Sequence, residues 1–353
     1  MADKKTSIGG QALMEGIMMR GPEMTAMAVR RADGTIVMED FATNNQVPKL
    51  CKLPLIRGVY GMITSLTIGY KCMMRSADLY AMDALAEEDT KAKQDEAVPH
   101  PMSTSPEVNY TAPSVAEEVK QTAESPKQND QKDKKDSKEE GVLGTAAIVI
   151  TVLLSVVLML GLFLWLPTFL YDLTIAKLTT DLAPFLSRFI RSASEALIRV
   201  IILIGYMLAI SQLNDIKRTF MYHGAEHKTI FCYEKGLPLT VENVRPMCRF
   251  HPRCGTSFLI LMVLVGVLLG LLIPFTGWLR VVCKLALFPL TIGIGYELIK
   301  IAGRYDNAFT RIISAPGVWL QKITTKEPTD DMIECAIAAM EKVIPEDKEK
   351  DNW

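Results

Sequence analysis

Uncharged positions are unevenly spread along the chain. One uncharged run of 31 residues lies between Glu140 and Asp172, and another of 26 between Arg253 and Arg280. Each exceeds the roughly 20 apolar residues that a helix needs to cross a bilayer. The hydropathy pattern predicts four membrane spans, at residues 142–171, 193–213, 257–279 and 281–301. The second is interrupted by Glu195 and Arg199, so Arg199 is expected to snorkel to the interface. The fourth carries Lys284 near its start and Glu297 near its end, and a tight turn near 274–278 should join the last two spans as a helical hairpin.

Other segments show shorter periods. From Pro54 to Asp83 the apolar residues Val59, Ile63, Leu66, Tyr70 and Met73 recur at steps of three and four, which predicts a helix. Its uncharged part, 58–70, is too short to span, so this is expected to be an amphipathic interfacial or re-entrant helix with Arg57, Lys71 and Arg75 at headgroup level. Nearer the N-terminus, Met27, Ala28 and Val29 and then Ile36, Val37 and Met38 flank Asp33-Gly34, a pair that tolerates the positive φ of a hairpin turn. Before them, Gly9, Gly10, Gly16 and Gly21 fit neither a P-loop nor a dinucleotide fingerprint and read as backbone that turns tightly. At the other end, residues 312–323 read as a surface-hugging segment. Thr329 and two aspartates then open a last helix whose face of Ile333, Ile337, Met340 and Ile344 should dock on the cytoplasmic part.

Together these patterns predict a mainly α integral membrane protein. They give a small β-rich module at 1–50, the interfacial helix at 51–86, a disordered charged linker at 87–140, a four-span membrane domain at 141–304 and a cytosolic C-terminal segment at 305–353. The linker holds one aromatic residue and no apolar periodicity, a composition that cannot offset ordering entropy.

Charge sharpens the picture. The 353-residue chain has a formal net charge of -1, yet residues 87–140 contain 14 acidic and 8 basic side chains, so the remainder is positive. Lys217, Arg218, Lys228, Lys235, Arg245, Arg249 and Arg253 crowd the loop 215–255, so that loop and both termini are expected on the cytoplasmic side of the membrane. Seven cysteines without a C-x-x-C pair argue against a disulfide framework. Arg245, Arg249 and Arg253 form a basic patch suited to anionic headgroups, or serve only as topological charge. These charges lack the repeated aromatic interleaving of a nucleic-acid surface, and no nucleic-acid partner is expected.

The pointed chemical motif is His223-Gly224-Ala225-Glu226-His227. On a helix, His223 and His227 share a face and can reach one metal, zinc or another divalent transition metal, while Glu226 stands beside them as a base for water. The inverted-motif proteases take their third ligand from a Glu about seventy residues later, where Glu297 stands. His251 and Cys254 compete for that place. His223, His227, His251 and Cys254 would close a structural site, whereas His223, His227 and Glu297 would leave a position open for water. The plain alternative is a pair of hydrogen-bonded core histidines.

Several longer strings carry a resemblance: Gly9-Gly10-Gln11-Ala12-Leu13-Met14-Glu15-Gly16, the His223 motif with Lys228, Leu239-Thr240-Val241-Glu242-Asn243-Val244-Arg245, His251-Pro252-Arg253-Cys254-Gly255-Thr256-Ser257-Phe258, Gly295-Tyr296-Glu297, and Leu320-Gln321-Lys322-Ile323-Thr324-Thr325-Lys326-Glu327-Pro328. They resemble the YqhQ-type family of uncharacterised bacterial multi-pass membrane proteins, and the resemblance covers nearly the whole chain outside the charged insert. It implies an inner-membrane protein labelled as a metal-dependent enzyme. Two functions follow as expectations: a cytosol-facing metal-dependent hydrolase, or a non-enzymatic factor in membrane-protein biogenesis with other membrane proteins or the translocation machinery as partners and the His/Cys cluster structural.

Overall fold

The computed structural model describes residues 5–43, 47–96, 150–305, 307–347 and 350–351. Four strands, Gly9–Leu13 (β1), Gly16–Arg20 (β2), Met24–Arg30 (β3) and Ile36–Ala42 (β4), form an antiparallel sheet in the order β1-β2-β3-β4. The expected hairpin is β3–β4, with Gly34 at φ 85° in its turn. The glycine-rich stretch before it is more than turning backbone: it is a second hairpin, β1–β2, around Met14-Glu15. Its strands escaped the sequence pattern because both faces of the sheet are covered. Ile17 and Met19 belong to one apolar cluster while Leu13 and Met18 belong to another, so the apolar/polar alternation of a half-exposed strand is missing.

The helices are α1 (Ile56–Glu96), α2 (Ile150–Thr174, with a π-helical turn at Gly161–Trp165), α3 (Pro184–Ile210), α4 (Asn214–Glu234), α5 (Val241–Val244), α6 (Gly255–Gly270), α7 (Gly277–Arg304), α8 (Ala308–Thr324) and α9 (Asp330–Val343). By contacts the chain divides into two units, Met1–Glu87 with Leu162–Trp353, and Glu88–Gly161. Residues 87–96, assigned to the linker by composition, continue α1. The rest of the expected disordered linker, 97–140, lies outside the described residues.

Three helices, α2, α3 and α7, are long and apolar enough to cross a membrane. The protein is therefore mainly helical and membrane-associated, with a small N-terminal antiparallel sheet. The third expected span, α6, is apolar but has only 16 residues, a length of about 24 Å against a hydrocarbon core of about 30 Å. It pairs with α7 across the turn at 271–276, as the hairpin reading required.

The sheet is packed on both faces within the first unit. On one, Cys72 and Leu79 of α1 meet Leu13, Met18, Met27 and Val29. On the other, Tyr222, Ala225 and Ile230 of α4 and Met332, Ile333, Ala336 and Met340 of α9 meet Ile17, Met19, Ala26 and Ala28. The last helix docks through the face that its periodicity marked. In α1 the marked residues Ile63, Leu66 and Tyr70 are instead more than half exposed, and the stripe against the sheet is the less apolar Gly69, Cys72, Ser76 and Leu79. Apolar periodicity found the helix, but of the residues it marked Met73 packs against the sheet cluster while Ile63, Leu66 and Tyr70 stay exposed.

Candidate functional site

The helix α4 carries the histidine motif, and its i, i+4 spacing sets His223 and His227 edge to face with ring centroids 4.5 Å apart. From the end of α4 the chain returns through α5, whose N-cap Thr240 accepts from the Asn243 amide, to Cys254, the N-cap residue of α6. Ligand atoms of His223, His227 and Cys254 lie within 4.8 Å of one another. His223 Nε2 is 3.3 Å from Cys254 Sγ, close to the separation of about 3.5 Å that follows from zinc–nitrogen and zinc–sulfur bonds at a tetrahedral angle.

Hydrogen bonds on the far side of each ring settle which nitrogen faces the cluster. His223 Nδ1 donates to the Thr324 carbonyl at 2.9 Å, and His227 Nδ1 donates to the Arg249 carbonyl at 2.5 Å. A carbonyl oxygen only accepts, so both Nδ1 atoms carry hydrogen and both Nε2 atoms can offer a lone pair. This is how a backbone carbonyl orients a metal-binding imidazole. Burial opposes the Cys254 thiolate, but the neighbouring His227 and His223 outweigh it and hold the thiol well below its usual range. Burial likewise opposes protonation of His223, yet its pairing with Cys254 raises it to about 9, so at neutral pH Nε2 holds a proton that a metal would displace. The donor set thus fits a soft or borderline cation.

Glu226 is buried behind the two histidines. Burial pushes its carboxyl up, against the lowering influence of His223, His227 and a hydrogen bond from the Gly10 amide. That contact explains the glycine: a Cβ at position 10 would come within 2.9 Å of the Glu226 side chain. A cavity of about 460 Å³ opens here, lined by His223, Glu226, His227 and Cys254 together with Gly10 and Leu259.

The other expected site residues go elsewhere. Glu297 accepts from Arg57 Nε at 2.7 Å and from the Leu55 amide, tying α7 to the start of α1; its spacing from His227 does not bring it to the cluster. His251 lines the cavity, but its ring faces Glu234, 3.5 Å away, and receives the Arg253 amide on Nδ1. The three arginines are engaged as well. Arg245 makes a two-pronged pair with Asp330 at 2.9 and 2.6 Å, Arg249 pairs with Glu327 at 3.0 Å, and Arg253 pairs with Glu234.

Two supports had no signal in hydropathy. Gln321 of α8, fully buried, accepts from the His251 amide at 2.7 Å and donates to the His251 carbonyl at 2.8 Å, clamping the segment that delivers Cys254. Gly224, inside the motif, allows the Lys326 carbonyl to approach so closely that a Cβ would sit 2.1 Å from it. A glutamine in an apolar helix and a glycine inside a helix were the only hints of either.

Comparison with known proteins gives a family and adds no mechanism. The family described as "protein of unknown function (DUF1385)" matches residues 53–346. The uncharacterized protein YqhQ of Bacillus subtilis (strain 168) is 32% identical over 341 residues, which is 95% of this chain and 92% of that protein. No solved structure matches. With most of its length matched by the family and a relative at this identity over nearly the whole chain, the protein belongs to the DUF1385 family of uncharacterised, YqhQ-like proteins.

Proposed function

We propose that His223, His227 and Cys254 hold a divalent transition metal, zinc by the character of the donors, in an open three-ligand site, and that the protein is a membrane-bound hydrolase. The observation that carries this reading is the convergence of three ligand atoms within 4.8 Å at one wall of a cavity, with both Nε2 atoms oriented from behind. A bound zinc supplies Lewis acidity and makes water nucleophilic near neutral pH. Glu226 is the base: its carboxylate, steadied by the Gly10 amide, takes a proton from the attacking water and returns it to the leaving group. His251 shapes the cavity wall, and Gln321 holds Cys254 in range.

Metal analysis of the purified full chain tests this. About one equivalent of zinc is expected in the wild type and in Glu226→Gln, falling to a small fraction in His223→Ala and Cys254→Ala. Equal metal in all four proteins, or none in the wild type, would sink the reading. The 3.3 Å approach of His223 to Cys254 at a helix N-terminus also favours a second reading, a metal-free thiol nucleophile. Rapid alkylation of Cys254 in protein that contains no metal would select it.

In the same reading α6 acts as a fourth, short span, and the loop 215–255 and both termini face the cytoplasm of a bacterial cell. The basic residues of that loop support this placement. Cys248 is exposed in the loop, so in a variant keeping it as the reporter a membrane-impermeant maleimide should label it only after the cells are opened. Labelling of intact cells would reverse the orientation.

A further inference from the structure

Among the described residues, the strand β1 is an edge of the sheet, paired only with β2. Register decides which of its backbone groups are spent. The Glu15 carbonyl accepts from the Arg30 amide at 2.8 Å, so odd-numbered residues of β2 bond to β3, and Gly16, Met18 and Arg20 are left to bond to β1. Their partners are Leu13, Gln11 and Gly9. Hydrogen-bonded residues alternate along an antiparallel pair, so the N–H and C=O of Gly10 and Ala12 point away from β2. The Gly10 amide is taken by Glu226. The Gly10 carbonyl and both groups of Ala12 lie on the side where residues 8–12 line the cavity. Gly9–Leu13 has no proline and no charge, two of the usual devices against strand addition, while Glu226 of α4 meets this edge at Gly10.

We propose that the cavity takes an extended peptide, which adds to β1 as a further antiparallel strand and is cleaved at an amide presented to the His223, His227 and Cys254 cluster. This rests on the hydrolase reading and names its substrate class. Strand addition gives affinity through the backbone and selects side chains at alternate positions. The cavity lining also includes Phe220, Ile230 and Leu259, which suits apolar residues. The volume of about 460 Å³ lies within the range of sites for ligands of this size. Because Gly10 has no side chain, β1 lies directly against Glu226, so a peptide paired with β1 runs past the base. In the reaction the water oxygen bonds to the amide carbon, the C–N bond breaks, Glu226 passes the water proton to the departing nitrogen, and a carboxylate and an amine result.

Calorimetry on the zinc-loaded full chain in detergent, with two hydroxamates, tests this. Acetohydroxamate probes the metal alone, and an N-acetylated apolar tetrapeptide hydroxamate probes metal and strand together. The peptide is expected to bind at least about ten-fold more tightly. N-methylation at alternate amides should abolish that gain, while the intervening amides tolerate it. In Ala12→Pro, whose missing N–H faces away from β2, the peptide should lose its advantage while acetohydroxamate binds as before. Peptide binding no tighter than acetohydroxamate, or an N-methyl scan without alternation, overturns strand addition and leaves the metal reading standing. Failure of both hydroxamates to bind overturns the two readings together.

Discussion

At the level of single residues, the site depends on groups that do no chemistry. Gly224 is the sharpest case. Thr324, whose carbonyl orients His223, belongs to the same segment as Lys326, whose carbonyl presses on Gly224 and whose amide donates to the Phe220 carbonyl at 2.8 Å. A methyl at position 224 must push this segment away, because the atom it meets is backbone and not the end of a flexible side chain. Gly224→Ala is therefore expected to cost about 2 kcal/mol and to lower the zinc content by displacing Thr324 from His223. Gly205→Ala, a helical glycine with nothing within 4 Å of the added Cβ, should leave both unchanged. Thermal unfolding and metal analysis of the two variants check this, and equal behaviour would remove the brace from the account. Legibility in the sequence divides at the same point. The i, i+4 histidines and the nearby Glu226 are visible because one helix holds them. Gln321 and Thr324 are not, because they reach the site from α8, roughly a hundred positions along the chain from His223.

Elements show where spacing misleads. The 70 positions between His227 and Glu297 suit an inverted metalloprotease pattern, but α7 presents Glu297 to Arg57 and to the Leu55 amide. The partner is 240 residues away in sequence, and no local rule could have paired them. Gly58, which packs against Tyr296, tightens the same junction. The pair is partly exposed, with side chains 34% and 22% accessible, so its loss should be mild. Glu297→Gln is expected to retain full zinc and to cost roughly 1 kcal/mol, with faster proteolysis near the start of α1 as the local readout. Loss of zinc in that variant would return Glu297 to the ligand set. Hydropathy did better with elements whose burial is one-sided. The last helix, α9, buries Ile333 and Met340 as its period indicates, and the β3–β4 turn is written in Asp33-Gly34. The strands β1 and β2, packed on both faces, leave no alternation to read.

Across the whole molecule, a network of buried charges joins the apolar helices. Glu195 of α3 accepts from Arg280 at 3.0 Å and from Lys284 at 2.6 Å, both on α7. Arg191 pairs with Asp172 of α2, and Arg280, fully buried, also donates to the Ile273 carbonyl at the α6–α7 turn. Arg199, expected to snorkel, donates instead to the Phe163 carbonyl at the π-helical turn of α2, where the widened ladder leaves an oxygen available. Glu195, Arg199 and Lys284 stand out in the sequence as charges inside apolar spans, but nothing in it says which group each one meets. The network sits at the α7 end of α6, and Cys254 sits at the other end, about 24 Å away, so the two polar centres do separate work: one joins the spans, the other is the candidate site. Removing only the shared acceptor should be the costliest change. Glu195→Gln leaves Arg280 and Lys284 buried without their counter-charge and is expected to destabilise by about 3–5 kcal/mol, whereas replacing Glu195, Arg280 and Lys284 together by methionine removes charge and desolvation cost at once and should cost less. Unfolding midpoints in one detergent, with zinc content alongside, give the comparison. Zinc should stay bound in the folded protein of both variants; a triple variant less stable than Glu195→Gln would mean that the network specifies how the helices pack and is more than a neutralised cluster of charges.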